Sequence, residues 1–283
     1  MKTKFLSVII AVLIICSLAV FTSCGETENN LMTVFEEALA KTSNLENFDA
    51  DMGMDMSIDA GGVTVEMLMD MNTKVTGAKS ENPIIGFNMI MSIPVLGSEM
   101  AIDMYIKDGW AYMVSEGQGL KLKADDELVD SYNYSEMLDS MTGALPEELK
   151  SNTVVTENED GTLSAVVTIP DELFIELFGE ISDSLDAIGI GENPSVTGAT
   201  LNYTVADGYV TTVNMEFNML MTVADTETAA NVTIDAVYNN PGAEVIITPP
   251  EGYESFPEVS DEVIEGVESE TAENTVEDVE VAA

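Results

Sequence analysis

From residue 47 onward, apolar and polar positions alternate over long stretches. Met52, Met54, Met56 and Ile58 are separated by Gly53, Asp55 and Ser57, with Asp51 and Asp59 on either side. After Gly61-Gly62, the residues Val63, Val65, Met67, Met69, Met71 and Val75 continue on one parity. A period of two, with large residues on one parity and acidic or small ones on the other, describes a strand buried on one face and wetted on the other. The glycine pair marks the hairpin between two such strands. The pattern recurs at Phe87, Met89, Met91 and Ile93, and at Met100, Ile102, Met104 and Ile106. Asp108-Gly109 is a hairpin turn into Trp110, Tyr112 and Val114, and Leu120 to Lys123 reads as a short strand. Thr153–Thr156 and Leu163–Ile169 pair around Glu159-Asp160-Gly161. Thr200–Val205 and Tyr209–Val223 flank Asp207-Gly208. Asn231–Tyr238 and Glu244–Thr248 are expected to finish the sheet through Asn239-Asn240-Pro241-Gly242, with Pro249-Pro250 ending the ladder.

Three segments switch to a helical period. Leu31, Val34, Phe35, Ala38 and Leu39 form one stripe between 31 and 43. Leu138, Met141 and Leu145 share a face between 128 and 150, with Pro146 starting a short second turn. Pro170 opens a helix over 171–188 whose stripe is Leu173, Leu177, Ile181 and Leu185. The expected fold class is therefore α+β: a large curved antiparallel sheet of about 11 strands, an open half-barrel, wrapping two or three helices. No Pro/Gly/Ser-rich linker divides residues 31–253, so they are read as one domain, long enough for a substantial core.

The N-terminus has a different character. Lys2 and Lys4 precede an apolar run from Phe5 to Phe21, and Thr22-Ser23-Cys24 follows. That is the layout of a secretory signal peptide over residues 1–23. Phe21-Thr22-Ser23-Cys24 resembles the lipobox of bacterial lipoproteins, with phenylalanine where leucine is usual. The resemblance implies an acylated Cys24 as first mature residue, residues 24–30 as a polar tether, and attachment to the outer face of the cytoplasmic membrane. Cys16 would leave with the signal peptide, so no disulfide remains possible within the chain.

Charge then narrows the function. The 283 residues carry 9 Lys+Arg, all lysine, against 52 Asp+Glu, giving a net charge of -43 with no histidine. Histidine-based nucleophile pairs and imidazole-ligated metals are excluded, as are arginine clamps for phosphate. Nucleic acid would repel such a chain. Asp51, Asp55 and Asp59 share the wet face of one strand at steps of roughly 13 Å, too far apart to wrap one calcium ion. Trp110 is the only tryptophan, which is read as packing in the core or on the sheet surface. No metal, cofactor or catalytic residue is expected, and the chain is read as a non-enzyme and a monomer. Residues 254–283 are read as a disordered acidic tail; solvation is its simplest role, a lure for cationic partners the other.

What remains is the methionine content. Thirteen of the 18 methionines fall on the apolar parity of expected strands, where valine, isoleucine and aromatics are the usual choice. Methionine is flexible and polarisable and repacks around apolar guests. Met54, Met56, Met67, Met69, Met91, Met104, Phe217 and Met219 are the candidate lining of an apolar binding face. The alternative is a solid core and a protein-interaction module without a ligand.

The order of lipobox, tether, helix, long hairpins, helices and further hairpins resembles the lipoprotein-carrier superfamily of LolA, LolB and the LppX type, particularly small lipoproteins of Gram-positive gut anaerobes. The phrase Tyr105-Ile106-Lys107-Asp108-Gly109-Trp110-Ala111-Tyr112-Met113 is similar to a strand–turn–strand of those proteins. The resemblance implies a half-barrel whose concavity carries lipids or acylated proteins. LolA itself relies on a buried arginine that this chain lacks, so its transfer mechanism is not carried over.

Overall fold

Both Asp-Gly pairs turn as their chemistry requires. Asp108 and Gly109 have φ of 52° and 75°, and Asp207 and Gly208 have 53° and 73°. Two successive positive φ angles match the right-handed twist of the strands they join. The computed structural model describes residues 30–60, 63–80, 82–115, 117–124, 142–174, 192–223 and 226–259. The signal peptide, Cys24 and most of its tether lie outside those residues. So do the helical positions expected at 128–141 and 175–188, and the tail from 260.

A helix, α1, spans residues 30–43. The strands are β1 Asn47–Ala60, β2 Val63–Thr76, β3 Ile84–Ile93, β4 Ser98–Lys107, β5 Trp110–Ser115 and β6 Gln118–Lys123. After the short helix α2 Glu147–Lys150 come β7 Thr153–Glu157, β8 Leu163–Thr168, β9 Glu192–Ala206, β10 Tyr209–Val223 and β11 Thr226–Tyr238. Residues 171–174 are also helical.

The eleven strands form one sheet in the order β6-β5-β4-β3-β2-β1-β11-β10-β9-β8-β7. Every neighbouring pair is antiparallel. Two meanders leave the centre in opposite directions, and the pairing of β1 with β11 joins them. The sheet does not close, and the class is α+β. Three register shifts in the β9–β10 pair, at Val210/Thr212, Glu216/Asn218 and Leu220/Thr222, add local twist where the sheet folds over its helices.

Along each strand the apolar parity points inward. Phe48, Ala50, Met52 and Met56 of β1 are buried, as are Val213, Met215, Phe217 and Met219 of β10. Helix α1 closes one half of this face. Its Phe35, Ala38 and Leu39 are at most 1% exposed, and the Phe35 ring meets Tyr203 edge-on at 5.2 Å. Burying the two large side chains is worth roughly 2–3 kcal/mol each. The C-terminal end of α1 is fastened by Thr42: its Oγ1 accepts the Val210 N–H at 2.9 Å and donates to the Ala38 carbonyl at 2.8 Å. Lys41 lies 3.6 Å from the Tyr209 ring centroid. Lys150 ties α2 to α1 through Glu36 at 3.0 Å.

One expected strand is absent. Residues 244–250 are not paired in the sheet. Instead the chain after β11 crosses the outer, polar face as a strap. Its Ile247 sits over Gly86 of β3, where an added Cβ would come within 2.7 Å of Ile247 Cγ2. Tyr253 packs edge-on against Tyr105 at 5.4 Å and Tyr112 at 4.9 Å. Phe256 occupies the space above Gly119 of β6. The alternation at 244–248 is real, but β1 already occupies the free side of β11, so the segment has no edge to join. The strap then reaches β6: Lys121 N–H donates to the Pro257 carbonyl and Val259 N–H to the Lys121 carbonyl, each at 2.9 Å. Residues 254–259, expected at the start of a disordered tail, thus cap an edge strand in parallel.

Candidate functional site

The inward face carries methionines in cross-strand rows. Register places Met54 of β1 opposite Met69 of β2, Met69 opposite Met91 of β3, and Met91 opposite Met100 of β4. The same row continues the other way through Ile234, Met215 and Leu201. Its two ends differ. Met215 is 0% exposed and Ile234 8%, whereas Met54, Met69 and Met91 are half-buried and Met100 is 40% exposed. Exposure is therefore low at the β10–β11 end of the row and highest at its β4 end.

Neighbouring rows follow suit. Met56 pairs with Met67 on one side and Val232 on the other, and Val232 with Phe217. Met56 and Phe217 are buried, and Met67 is half-buried. The Phe217 ring lies 5.0 Å from that of Phe174. Met52, Met71 and Met89 form the next row, with Met89 half-buried.

The structure thus brings Met54, Met69 and Met91 together in one row and Met56, Met67 and Phe217 in the next. Met219 is 1% exposed, in closed core on β10. Met104 lies apart, between Phe87 and Met113, at 3% exposure. Met89 and Met100 belong to the partly open face and were not among the candidate residues, although both share the inward parity. Burial of a given Met could not be read from parity, because it depends on which half a helix covers. Thr73, also inward and fully buried, has a hydroxyl with no hydrogen-bond partner among the described residues.

Polar chemistry on the outer face is of another kind. With few lysines available, side-chain amides serve the carboxylates. Asn72 donates to Asp49 at 3.1 Å and Asp51 at 2.7 Å, and Asn239 donates to the same two at 3.2 and 2.8 Å. Asn88 donates to Asp103, and Asn214 to Asp235 at 3.0 Å. Lys74 pairs with Asp49 at 3.0 Å. These contacts occupy Asp49 and Asp51 of β1, and no cluster of metal-ligating side chains occurs among the described residues. Two open depressions lie on this face. One, of about 310 Å³, runs beneath the strap between Lys74, Asn88, Asp103, Ile246 and Thr248. The other, of about 360 Å³, is bordered by Asp51, Gly53, Asp70 and Asp235. Burial raises the pKa of Tyr105 and Tyr112 beneath the strap, and raises that of Tyr203 on the inner face further. Among the described residues no helix is long and apolar enough to cross a membrane.

Among curated proteins none matches the sequence. The fold is similar to that of LprF from Mycobacterium bovis, at 12% identity and a TM-score of 0.41, over 79% of this chain and 98% of that one. It is also similar to a DUF1329 family protein from Desulfovibrio piger, at 11% identity and a TM-score of 0.24, over 77% of this chain and 95% of that one. The model of a family of unknown function, DUF6612, matches residues 30–243, which take in the whole sheet and α1, and the chain belongs to that family.

Proposed function

We propose that this chain is a lipid-anchored extracytoplasmic protein that binds an apolar ligand, a lipid or acyl chain, on the inward face of its sheet. The observation that carries the reading is the row Met54–Met69–Met91–Met100, half-buried over its first three members and exposed at Met100. Four flexible, polarisable side chains in register make a face that can repack around chains of different length. A set of partly exposed methionines without neighbouring charge on the same parity is the kind of surface a soluble domain keeps for a partner or ligand. The lipobox at Phe21–Cys24 supports the anchoring: a body of this charge is repelled by anionic headgroups, so acylation of Cys24 supplies the membrane affinity, at about 0.8 kcal/mol per buried methylene. The role is non-enzymatic and needs no cofactor. The complete burial of Met56, Met104, Phe217 and Met219 favours a second reading, a solid-core interaction module.

Solvent extraction of protein purified from its native membrane, followed by mass spectrometry, separates the two. The expected result is a co-purifying apolar molecule. A fluorescent fatty acid is expected to bind the full chain and to lose about tenfold or more in affinity in a Met69→Lys/Met91→Lys variant, since charges there would have to be desolvated. A protein that purifies empty and binds the fatty acid no better than the double variant sinks the ligand reading and leaves the solid-core module.

A further inference from the structure

The chain's cations are few, and their partners can be traced. Seven lysines fall among the described residues. Lys41 lies over Tyr209, Lys74 pairs with Asp49, and Lys79 donates to Asn44. Lys121 pairs with Glu258 and Lys150 with Glu36 and Glu147. Lys107 and Lys123 make no ion pair or side-chain hydrogen bond with any described residue. In a protein with 52 acids, that is where a gap is least expected.

These two lysines occupy one place. Lys107 of β4 is opposite Trp110 of β5, and Trp110 is opposite Lys123 of β6. All three point outward, because Ile106, Ala111 and Leu122, their alternates, are buried. Lys121 lies in the adjoining outward row beside Tyr112, with its Nζ 4.8 Å from the Trp110 ring centroid. The result is a basic, aromatic patch: three lysines around the only tryptophan, at the edge of a strongly acidic molecule.

The strap ends at this patch. Its last described residue, Val259, donates to the Lys121 carbonyl, and Pro257 accepts from the Lys121 N–H, so the strap runs parallel to β6 toward Lys123. The chain after it, residues 260–283, has nine acidic residues and no basic one, starting with Asp261, Glu262 and Glu265. The first carboxylates of that segment follow Val259 by two residues in sequence.

We propose that the acidic segment following Val259 docks on the Lys107–Trp110–Lys123 patch of its own chain, extending the strap and sealing the β6 edge. Three arguments favour this occupant. Its charge is complementary to the patch. Its covalent attachment, a few residues away, gives an effective concentration in the millimolar range for a short tether, which an outside anion would have to exceed. Carboxylates over lysines that flank an aromatic face gain charge pairing at an edge that would otherwise be a template for another strand.

Zero-length carbodiimide cross-linking of the full chain, read by peptide mass spectrometry, tests the arrangement. The expected products join Lys107 or Lys123 to Asp261, Glu262 or Glu265, and their yield falls about fivefold or more at roughly 1 M salt, where the screening length is about 3 Å. Trp110 is a single intrinsic reporter. Its quenching by acrylamide is expected to rise about twofold in a full-length Asp261→Asn/Glu262→Gln/Glu265→Gln variant, and equally in wild type at high salt. Tail cross-links spread evenly over Lys41, Lys79, Lys107, Lys123 and Lys150 overturn the proposal. So does Trp110 quenching that neither salt nor the tail variant changes. Cross-links found only between isotopically distinct copies in a mixed sample overturn the intramolecular arrangement in favour of a second copy.

Discussion

Ile247 rests on Gly86: a Cβ placed on that glycine would lie 2.7 Å from the Ile247 Cγ2 atom. A glycine in the middle of a strand weakens it unless something must come close, and here what comes close is the chain's own C-terminal strap. Gly86→Ala is expected to lift Ile247 and destabilise the protein by about 1–3 kcal/mol through overpacking. Combining it with Ile247→Ala should recover part of that loss. Urea denaturation of the two single variants and the double variant measures the coupling, and strict additivity would show that the two residues do not press on each other.

Asn72 bridges Asp49 and Asp51 with one amide group. Asn72→Asp removes that donor and adds a third carboxylate to the cluster. The expected cost is about 1–3 kcal/mol, from lost charge-assisted hydrogen bonds and added repulsion. Salt should return part of it, because the site faces water. Melting temperatures of wild type and variant at low and high salt check both statements. An unchanged melting temperature at low salt would mean that the amide bridge contributes nothing.

Tyr203 lies on the inward face under Phe35, and burial, with a smaller contribution from Tyr238, raises its pKa well above the ordinary tyrosine value of 10.0. The folded state therefore holds the phenol proton more tightly than the unfolded chain does. Its contribution is complete below pH 10 and is lost as pH rises from there toward the folded pKa, by up to about 1.4 kcal/mol per unit. Tyr203→Phe should flatten the alkaline limb of the stability profile above pH 10 relative to wild type, whatever its effect at neutral pH. Denaturant midpoints between pH 8 and 11 read this slope directly.

Thr42 joins α1 to β10 by a buried hydroxyl that accepts from Val210 and donates to Ala38. Thr42→Val keeps the shape and leaves the Val210 N–H unsatisfied, at an expected cost of about 1–3 kcal/mol. Thr42→Ser restores the hydroxyl and should recover most of it. Hydrogen exchange at the Val210 amide is the specific readout: it should accelerate in the valine variant and not in the serine variant.

The alternation of Met52 through Ile58 against Asp51 through Asp59 determined by itself that β1 would be half-buried, because a strand has only two faces and charge keeps one of them in water. Asp108-Gly109 and Asp207-Gly208 determined their turns for an equally local reason, the positive φ that two-residue hairpins demand. The same local logic named Met54, Met67, Met69 and Met91 as inward residues and gave α1 its stripe of Phe35, Ala38 and Leu39. Three things were decided only by the tertiary structure. The first is burial along an inward row: Met215 and Met100 share one parity, yet Met215 is 0% exposed and Met100 40%, because the packing on the inner face covers one position and not the other. The second is the fate of Glu244–Thr248, which carries a strand's alternation yet lies across the outer face, since pairing needs a free edge and β11 has β1 on one side and β10 on the other. The third is the meeting of Lys107, Trp110 and Lys123 with the end of the strap. Local pattern is set by bonds between near neighbours, whereas these relationships join residues far apart in the sequence, where only the order of strands determines what is adjacent.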